Sequence, residues 1–323
     1  MAFIRGAAFA SVALLLVVVA SVAEGHRPEL TERYYDKTCP NAQNIVRAVM
    51  ERRVAGYKRM APAILRLFFH DCFAYGCDGS VLLQNPESSD DERDVEANKS
   101  LDGFDVIDNI KSELEHNCPA TVSCADILAI ASRDAVAMLG GPTWSVLLGR
   151  KDSRFAHNNA TYQLPSPTGH LDELLEVFQD HGLDERDLTA LSGAHTIGMA
   201  HSCENFNDRI KHEDAEDIDP YFAAKLQHSC DQNDKCPVYF DEQTPMKFDN
   251  AYYQNLLNKR GLLTSDQALY TPGSWAGELV SIYANNQKAF FADFKTSMVK
   301  MGNLSPPDWM PTEVRLKCSM ANY

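Results

Sequence analysis

Apolar residues along this chain recur mostly at helical spacing. Leu171, Leu174, Leu175 and Phe178 fall at i, i+3, i+4 and i+7, a stripe that stops before Gly182. Phe290, Phe294, Met298 and Met301 form a second stripe, closed by Gly302 and Pro306-Pro307. Ile107, Ile110 and Leu114 line a third, broken before Pro119, and Tyr253, Leu256 and Leu257 sit in a segment that Gly261 ends. Strand-like alternation is scarce, with Trp144–Leu148 its best example. Internal repeats and low-complexity linkers are absent from the sequence. The pattern predicts a mainly α fold with very little β, organised as a single two-lobed domain over 24–323 with long ordered loops.

The first residues follow another rule. Arg5 precedes an unbroken apolar run from Val12 to Ala20, and Ser21-Val22-Ala23 supplies small residues after it. That run is too short to span a bilayer, so residues 1–23 read as a secretory signal peptide, cleaved at Ala23 or as late as Gly25. No later stretch approaches the roughly 20 apolar residues of a transmembrane helix. The formal charge of −15 becomes −16 once Arg5 is removed, and such a surface repels nucleic acid and anionic membranes. Nine dispersed cysteines without paired C-x-x-C spacing suit disulfides in a secreted protein rather than zinc. An odd count leaves at least one outside the intramolecular pairs.

Candidate chemistry appears first at Arg66 and His70. They lie four residues apart in Ala61–His70, a helical segment with Pro62 in its first turn, and so project from one face. Strongly apolar neighbours place that face against a partly buried cavity. There a histidine can act as a neutral base beside a permanent cation. A purely structural histidine is the competing reading. Asp71, Asp78 and Ser80 follow closely, with Gly76 and Gly79 to turn the chain, which suits a calcium loop that lacks EF-hand spacing. Cys72 and Cys77 could close the same loop.

A second constellation centres on His195, set among small and apolar residues in Ala190–Gly198. Alone, such a histidine reads as an ordinary core residue. Asp241, Thr244 and Asp249 form another oxygen-rich stretch, and Asp266 offers a carboxylate within Leu263–Gln267.

Three segments in this order resemble the class III, horseradish-peroxidase-like group of secretory plant haem peroxidases. They are Arg66-Leu67-Phe68-Phe69-His70-Asp71-Cys72-Phe73, Cys124-Ala125-Asp126-Ile127-Leu128-Ala129 and Ala190-Leu191-Ser192-Gly193-Ala194-His195-Thr196. The resemblance runs from Tyr34 to Cys318. It implies one haem b between distal and proximal helical halves, with His195 as axial iron ligand and Asp266 bonded to its other ring nitrogen. His70 would be the distal base, Arg66 the distal cation, Asn98 the residue orienting His70, and Phe69 the distal aromatic. Hydrogen peroxide would be reduced to water through high-valent haem while small phenolic donors, bound at Pro165, lose one electron each. Two Ca²⁺ ions are implied: a distal one held by Asp71, Ala74, Gly76, Asp78 and Ser80 with Glu92 through water, and a proximal one held by Thr196, Asp241, Thr244, Lys247 and Asp249. Asp126 and Arg150 match a buried ion pair. The expected product is a monomer secreted to the cell wall or apoplast, since Cys318 leaves no room for a longer vacuolar tail. A catalytically inactive, calcium-bound secreted glycoprotein with this fold is the rival reading.

The resemblance implies the bridges Cys39–Cys118, Cys72–Cys77, Cys124–Cys318 and Cys203–Cys230, with Cys236 left over and Cys203–Cys236 as an alternative. Phe240 stands where peroxidases that oxidise cytochrome c carry tryptophan, which favours small phenols over a protein donor. Glu96, near the haem edge, is more acidic than the family pattern, and Asp102 stands where the family often has arginine. Of three glycosylation sequons, Asn159 is the expected acceptor, because Asn98 belongs to the active site and Asn303 is the third.

Overall fold

A computed structural model describes residues 29–84, 91–156, 163–211, 217–232 and 237–322. The signal segment, Asn159 and Cys236 lie outside the described residues. The helices are α1 (Ala42–Gly56), α2 (Met60–Tyr75), α3 (Phe104–Asn117), α4 (Cys124–Met138), α5 (Leu171–Asp180) and α6 (Glu185–Ser192). They continue with α7 (Asn207–Lys211), α8 (Pro220–Gln232), α9 (Ala251–Leu257), α10 (Thr264–Ala268), α11 (Trp275–Asn285) and α12 (Gln287–Gly302). Four two-residue strands, β1 (Asp152–Ser153), β2 (Met199–Ala200), β3 (Val238–Tyr239) and β4 (Thr312–Glu313), pair antiparallel as β1·β4 and β2·β3.

The apolar stripes become α5, α12, α3 and α9, and the residues that define them are mostly buried. Trp144–Leu148 departs from expectation. Only Leu148 pairs with another backbone segment, at Thr31, while the amides of Gly149 and Arg150 turn to the Asp126 carboxylate at 2.7 and 3.3 Å. The Asp126 carboxylate thus takes the two amides that follow the segment, where a ladder from Leu148 would have continued.

Helices α1–α4 pack on one another, with α2 against α4 the most extensive pairing. Helices α6, α9, α11 and α12 form a second group, and α12 reaches back to α2. One apolar core runs through both groups, from Ile64, Phe73 and Ile127 to Leu188, Tyr253 and Phe290. A smaller cluster around Phe206, Phe222 and Leu226 is tied by Cys203–Cys230. Cys203 therefore pairs with Cys230 rather than Cys236, and Cys39–Cys118, Cys72–Cys77 and Cys124–Cys318 are also joined.

Helix α2 tolerates Pro62 because its first-turn amides have no intrahelical acceptor. It ends at Gly76, where φ is 92° and a Cβ would run into the backbone of Ser305 and Pro306. Helix α4 starts at Ser123, whose hydroxyl accepts from the Asp126 amide at 3.2 Å. Arg150 meets Asp126 at 2.9 Å in the interior and also donates from Nε to the carbonyl of Gly302, the last residue of α12, at 2.9 Å. Tyr35 adds its hydroxyl to Asp126 at 2.8 Å. Arg150→Met would leave Asp126 charged and buried, an expected cost of about 3 kcal/mol or more that urea unfolding would measure.

Candidate active site

Helix α2 and the short turn after α6 face a common cavity of about 380 Å³. Arg66, Phe69 and His70 line it from α2, and His195, in the 3₁₀ turn Gly193–Thr196, lines it from the other group of helices. The volume falls in the ordinary range for small-molecule and cofactor sites. Much of the wall is apolar, contributed by Leu164, Leu174, Phe178, Leu188 and Ile197.

His70 is buried, and its hydrogen bonds define its protonation. Arg66 Nε donates to His70 Nε2 at 3.1 Å, so that nitrogen carries a lone pair. His70 Nδ1 then holds the proton and donates it to Asn98 Oδ1 at 2.6 Å. Asn98 is anchored in turn by Nδ2 donating to the Glu92 carbonyl at 2.8 Å. Burial, and then the Arg66 charge, push the His70 pKa from 6.5 down to about 3, and the Asn98 bond opposes them. Burial lowers Arg66 only to about 10, so it remains a cation at neutral pH. Ser100 Oγ and the Ala97 carbonyl take its two terminal nitrogens at 2.9 and 3.0 Å. Phe69 stands edge-on to His70, with ring centroids 5.3 Å apart.

On the opposite side His195 Nδ1 donates to Asp266 Oδ1 at 2.7 Å, leaving Nε2 as the ring nitrogen available to the cavity. Asp266 is buried and also accepts from the Tyr252 hydroxyl at 3.0 Å and the Leu263 amide at 2.8 Å. Phe240 stacks on His195 at 4.2 Å, nearly parallel. Gly193 is required nearby, because a Cβ there would meet the Tyr253 hydroxyl and the Phe290 ring. Pro165 lines the cavity, as do Glu96 and Asp102.

The oxygen-rich stretches each form a cluster. Asp71 Oδ2 accepts from the Gly79 amide at 3.0 Å and Asp78 Oδ1 from the Ser80 amide at 2.9 Å. Asp71 Oδ1, Asp78 Oδ2 and Ser80 Oγ are buried without hydrogen-bond partners. Burial, with the Asp78 charge next, raises the Asp71 pKa well above the carboxylate range, and burial lifts Asp78 to about 6. Ala74 and Gly76 lie at the end of α2 beside them, and Glu92 is buried. In the second cluster, Thr244 Oγ1 lies 3.0 Å from both Asp241 and Asp249, and Thr196 Oγ1 lies 3.2 and 3.5 Å from them. The Lys247 ammonium pairs with Asp249 at 3.0 Å.

Sequence reasoning missed Tyr252, Ser100 and Arg315. Arg315, fully buried, donates to the Gly79 and Cys318 carbonyls and braces the first acidic loop from the C-terminal segment. The Tyr252-Tyr253 doublet was a visible signal, but an aromatic pair in a helix reads as core. Nothing local marks Ser100 or Arg315.

A profile of the peroxidase family matches residues 46–286. Peroxidase 4 of Vitis vinifera is 46% identical over 322 residues, covering 97% of this chain and 98% of its own length. Peroxidase 22.3 of Oryza sativa subsp. japonica is 47% identical over 318 residues, covering 97% and 98%. The lignin-forming anionic peroxidase of Nicotiana sylvestris is 42% identical over 319 residues, covering 97% of each chain. The chain belongs to the peroxidase family, among the plant class III haem peroxidases. It is an oxidoreductase that reduces hydrogen peroxide at the expense of reducing substrates. The residues present fit haem: an apolar cavity, an imidazole nitrogen on one wall and a base with a cation on the other.

His70 binds a proton less readily in the fold than in the unfolded chain, whose histidine has a pKa near 6.5. Its contribution to stability is therefore present above about pH 6.5 and is lost as pH falls toward about 3, by at most about 5 kcal/mol. His70→Phe should flatten this loss, as measured by urea unfolding between pH 7 and 4.

Proposed function

We propose that His70 and Arg66 break hydrogen peroxide while His195, oriented by Asp266, holds the iron of one haem b, and that small phenolic donors supply the electrons near Pro165. The observation that carries this reading is a neutral His70, its Nε2 lone pair bonded to Arg66, lining the same cavity as a His195 fixed by Asp266. Haem bound there, held by His195, would supply one-electron redox chemistry and a site for peroxide. The other tasks belong to the chain.

His70 Nε2 removes a proton from one peroxide oxygen. Burial and Arg66 both disfavour the resulting imidazolium, so the proton passes on to the other oxygen, which leaves as water. Arg66 stabilises the negative charge that grows on that oxygen as the bond breaks. Asn98 keeps the receiving nitrogen aimed inward, and Phe69 shields the centre from bulk water. Asp266 draws the His195 Nδ1 proton and makes the imidazole a stronger donor to iron. Each donor phenol then gives up one electron and one proton. One peroxide and two phenols become two waters and two phenoxyl radicals. Glu96 and Asp102 at the cavity wall favour neutral donors over anionic ones.

Two Ca²⁺ ions complete the reading. The distal ion takes Asp71, Asp78 and Ser80, carbonyls of Ala74 and Gly76, and Glu92 through water. The proximal ion takes Thr196, Asp241, Thr244 and Asp249 with the Lys247 carbonyl. Among the described residues no three acidic, histidine or cysteine side chains converge as a metal cluster by themselves. Calcium sites draw on hydroxyls and carbonyls as well, so two carboxylates per site suffice here. The buried, unpartnered oxygens of Asp71, Asp78 and Ser80 support the distal site most directly. An apolar N-terminal segment and four disulfides support secretion, and a monomer is the expected state. The inactive rival draws no support, because Arg66, His70, Asn98, His195 and Asp266 are all present and form their expected bonds.

His70→Ala should slow the reaction with peroxide by about 10²–10⁴-fold or more while the haem Soret band remains, as stopped-flow spectroscopy would read. A Soret band that does not respond to peroxide in the parent protein would sink the mechanism. Chelation should lower the melting temperature, and Ca²⁺ should restore it better than Mg²⁺, which demands tighter octahedral geometry.

A further inference from the structure

Three buried tyrosines lead in series from the proximal histidine to an Asp293–Arg186 pair that adjoins the exposed Trp275. Tyr252 meets the His195 ring edge-on, with centroids 6.2 Å apart, and its hydroxyl donates to the Asp266 carboxylate that holds His195. Tyr253 follows at 5.1 Å, and Tyr283 of α11 lies 5.0 Å beyond it. The Tyr283 hydroxyl donates to Asp293 at 2.7 Å, and Arg186 donates to the same oxygen at 2.9 Å. The Arg186 guanidinium sits 5.6 Å from the centre of the Trp275 ring. The three tyrosines are buried, whereas Trp275 is 42% exposed.

Packing alone does not explain this choice of residues. The adjoining core is filled by phenylalanine at Phe248, Phe290 and Phe294, which bury their rings without any polar group to satisfy. Along the path from His195 the rings are instead the two types that lose an electron most readily. Two of the phenols are bonded to carboxylates that can take their protons. Phe240, stacked on His195, offers no such ring, so the tyrosines form the oxidisable route from this face.

We propose that these rings carry single electrons inward from Trp275, making Trp275 a second oxidation site for phenolic donors too large to enter the cavity. The proposal rests on the peroxidase reading, in which peroxide is the oxidant. For each oxidising equivalent, Tyr252 yields an electron toward the haem side; its phenolic proton moves along the hydrogen bond to Asp266 and returns to Tyr252 when that electron is replaced. The electron that refills Tyr252 crosses Tyr253, whose hydroxyl faces the Thr189 carbonyl at 2.9 Å and keeps its proton. Tyr283 yields that electron, gives its proton to Asp293, and takes it back when Trp275 refills it. The donor refills Trp275, loses its hydroxyl proton to solvent and leaves as a phenoxyl radical. Two donors are consumed per peroxide, and two waters form. Burial above all, then the Asp293 carboxylate, pushes the Tyr283 phenol upward, so it holds a proton to release.

The test compares the parent haem protein with Trp275→Phe and Tyr283→Phe on two donors, free guaiacol and a phenol-grafted dextran that cannot enter the cavity. Both variants should oxidise guaiacol at the parent rate and the dextran at least about tenfold more slowly, equivalent to about 1.4 kcal/mol of activation free energy. A second readout needs no donor. Peroxide with a nitroso spin trap should label Trp275 in the parent, as mass spectrometry would map, and Tyr283→Phe should abolish that label. A dextran rate independent of Trp275, a parent that leaves the dextran untouched, or an unlabelled Trp275 would each overturn the relay while guaiacol oxidation persists. A parent that fails on guaiacol itself would overturn the peroxidase reading beneath it.

Discussion

The hydrogen bond from His70 Nδ1 to Asn98, 2.6 Å long, governs what the cavity can do. A neutral imidazole has one proton and one lone pair, and the side that carries each is set by its partners. With Nδ1 committed to Asn98, Nε2 is left as the acceptor inside the cavity. Asn98 holds that position because its amide donates to the Glu92 carbonyl, in the segment that packs beside the Asp71–Asp78 loop. The protonation state of one side chain thus depends on a loop that carries several buried carboxylates.

Those carboxylates are costly where they stand. Asp71 and Asp78 sit in the interior, each with an oxygen that meets no donor. Gly76, the Cys72–Cys77 bridge and Arg315 hold them there against their mutual repulsion. A bound cation would convert that repulsion into the force that fixes the end of α2, and with it the position of His70. The same logic applies to Asp241 and Asp249 beside Thr196, one residue from His195.

Asp266 plays the matching part on the other wall. It receives His195, Tyr252 and the Leu263 amide, so a single buried carboxylate orients the imidazole and anchors the first of a line of tyrosines. The wall that carries His70 holds a short, closed hydrogen-bond network. The wall that carries His195 joins its carboxylate to aromatic packing that runs through α9 and α11.

Much of this was legible in the residue order. Helical periodicity marked α3, α5, α9 and α12 because each buries one stripe against a core, a local property of spacing. Arg66 and His70 were readable as a pair for the same reason, being one helical turn apart on an apolar face. His195 was not, since a lone histidine among small residues carries no local sign of its partner; Asp266 lies 71 positions away, and the fold joins them. Resemblance to a family named that pair, and the structure supplied its geometry. Ser100, Tyr252 and Arg315 were invisible for a related reason. Each acts through one or two contacts whose partners are brought close by packing, not by spacing. The sequence by itself determined the helices, the types of chemistry available and the motifs that mark the family. Tertiary structure decided which nitrogen of each histidine faces the cavity, that Cys203 joins Cys230, and that three tyrosines pack in series beyond His195. Those outcomes depend on burial and on contacts between distant segments, which no local pattern encodes.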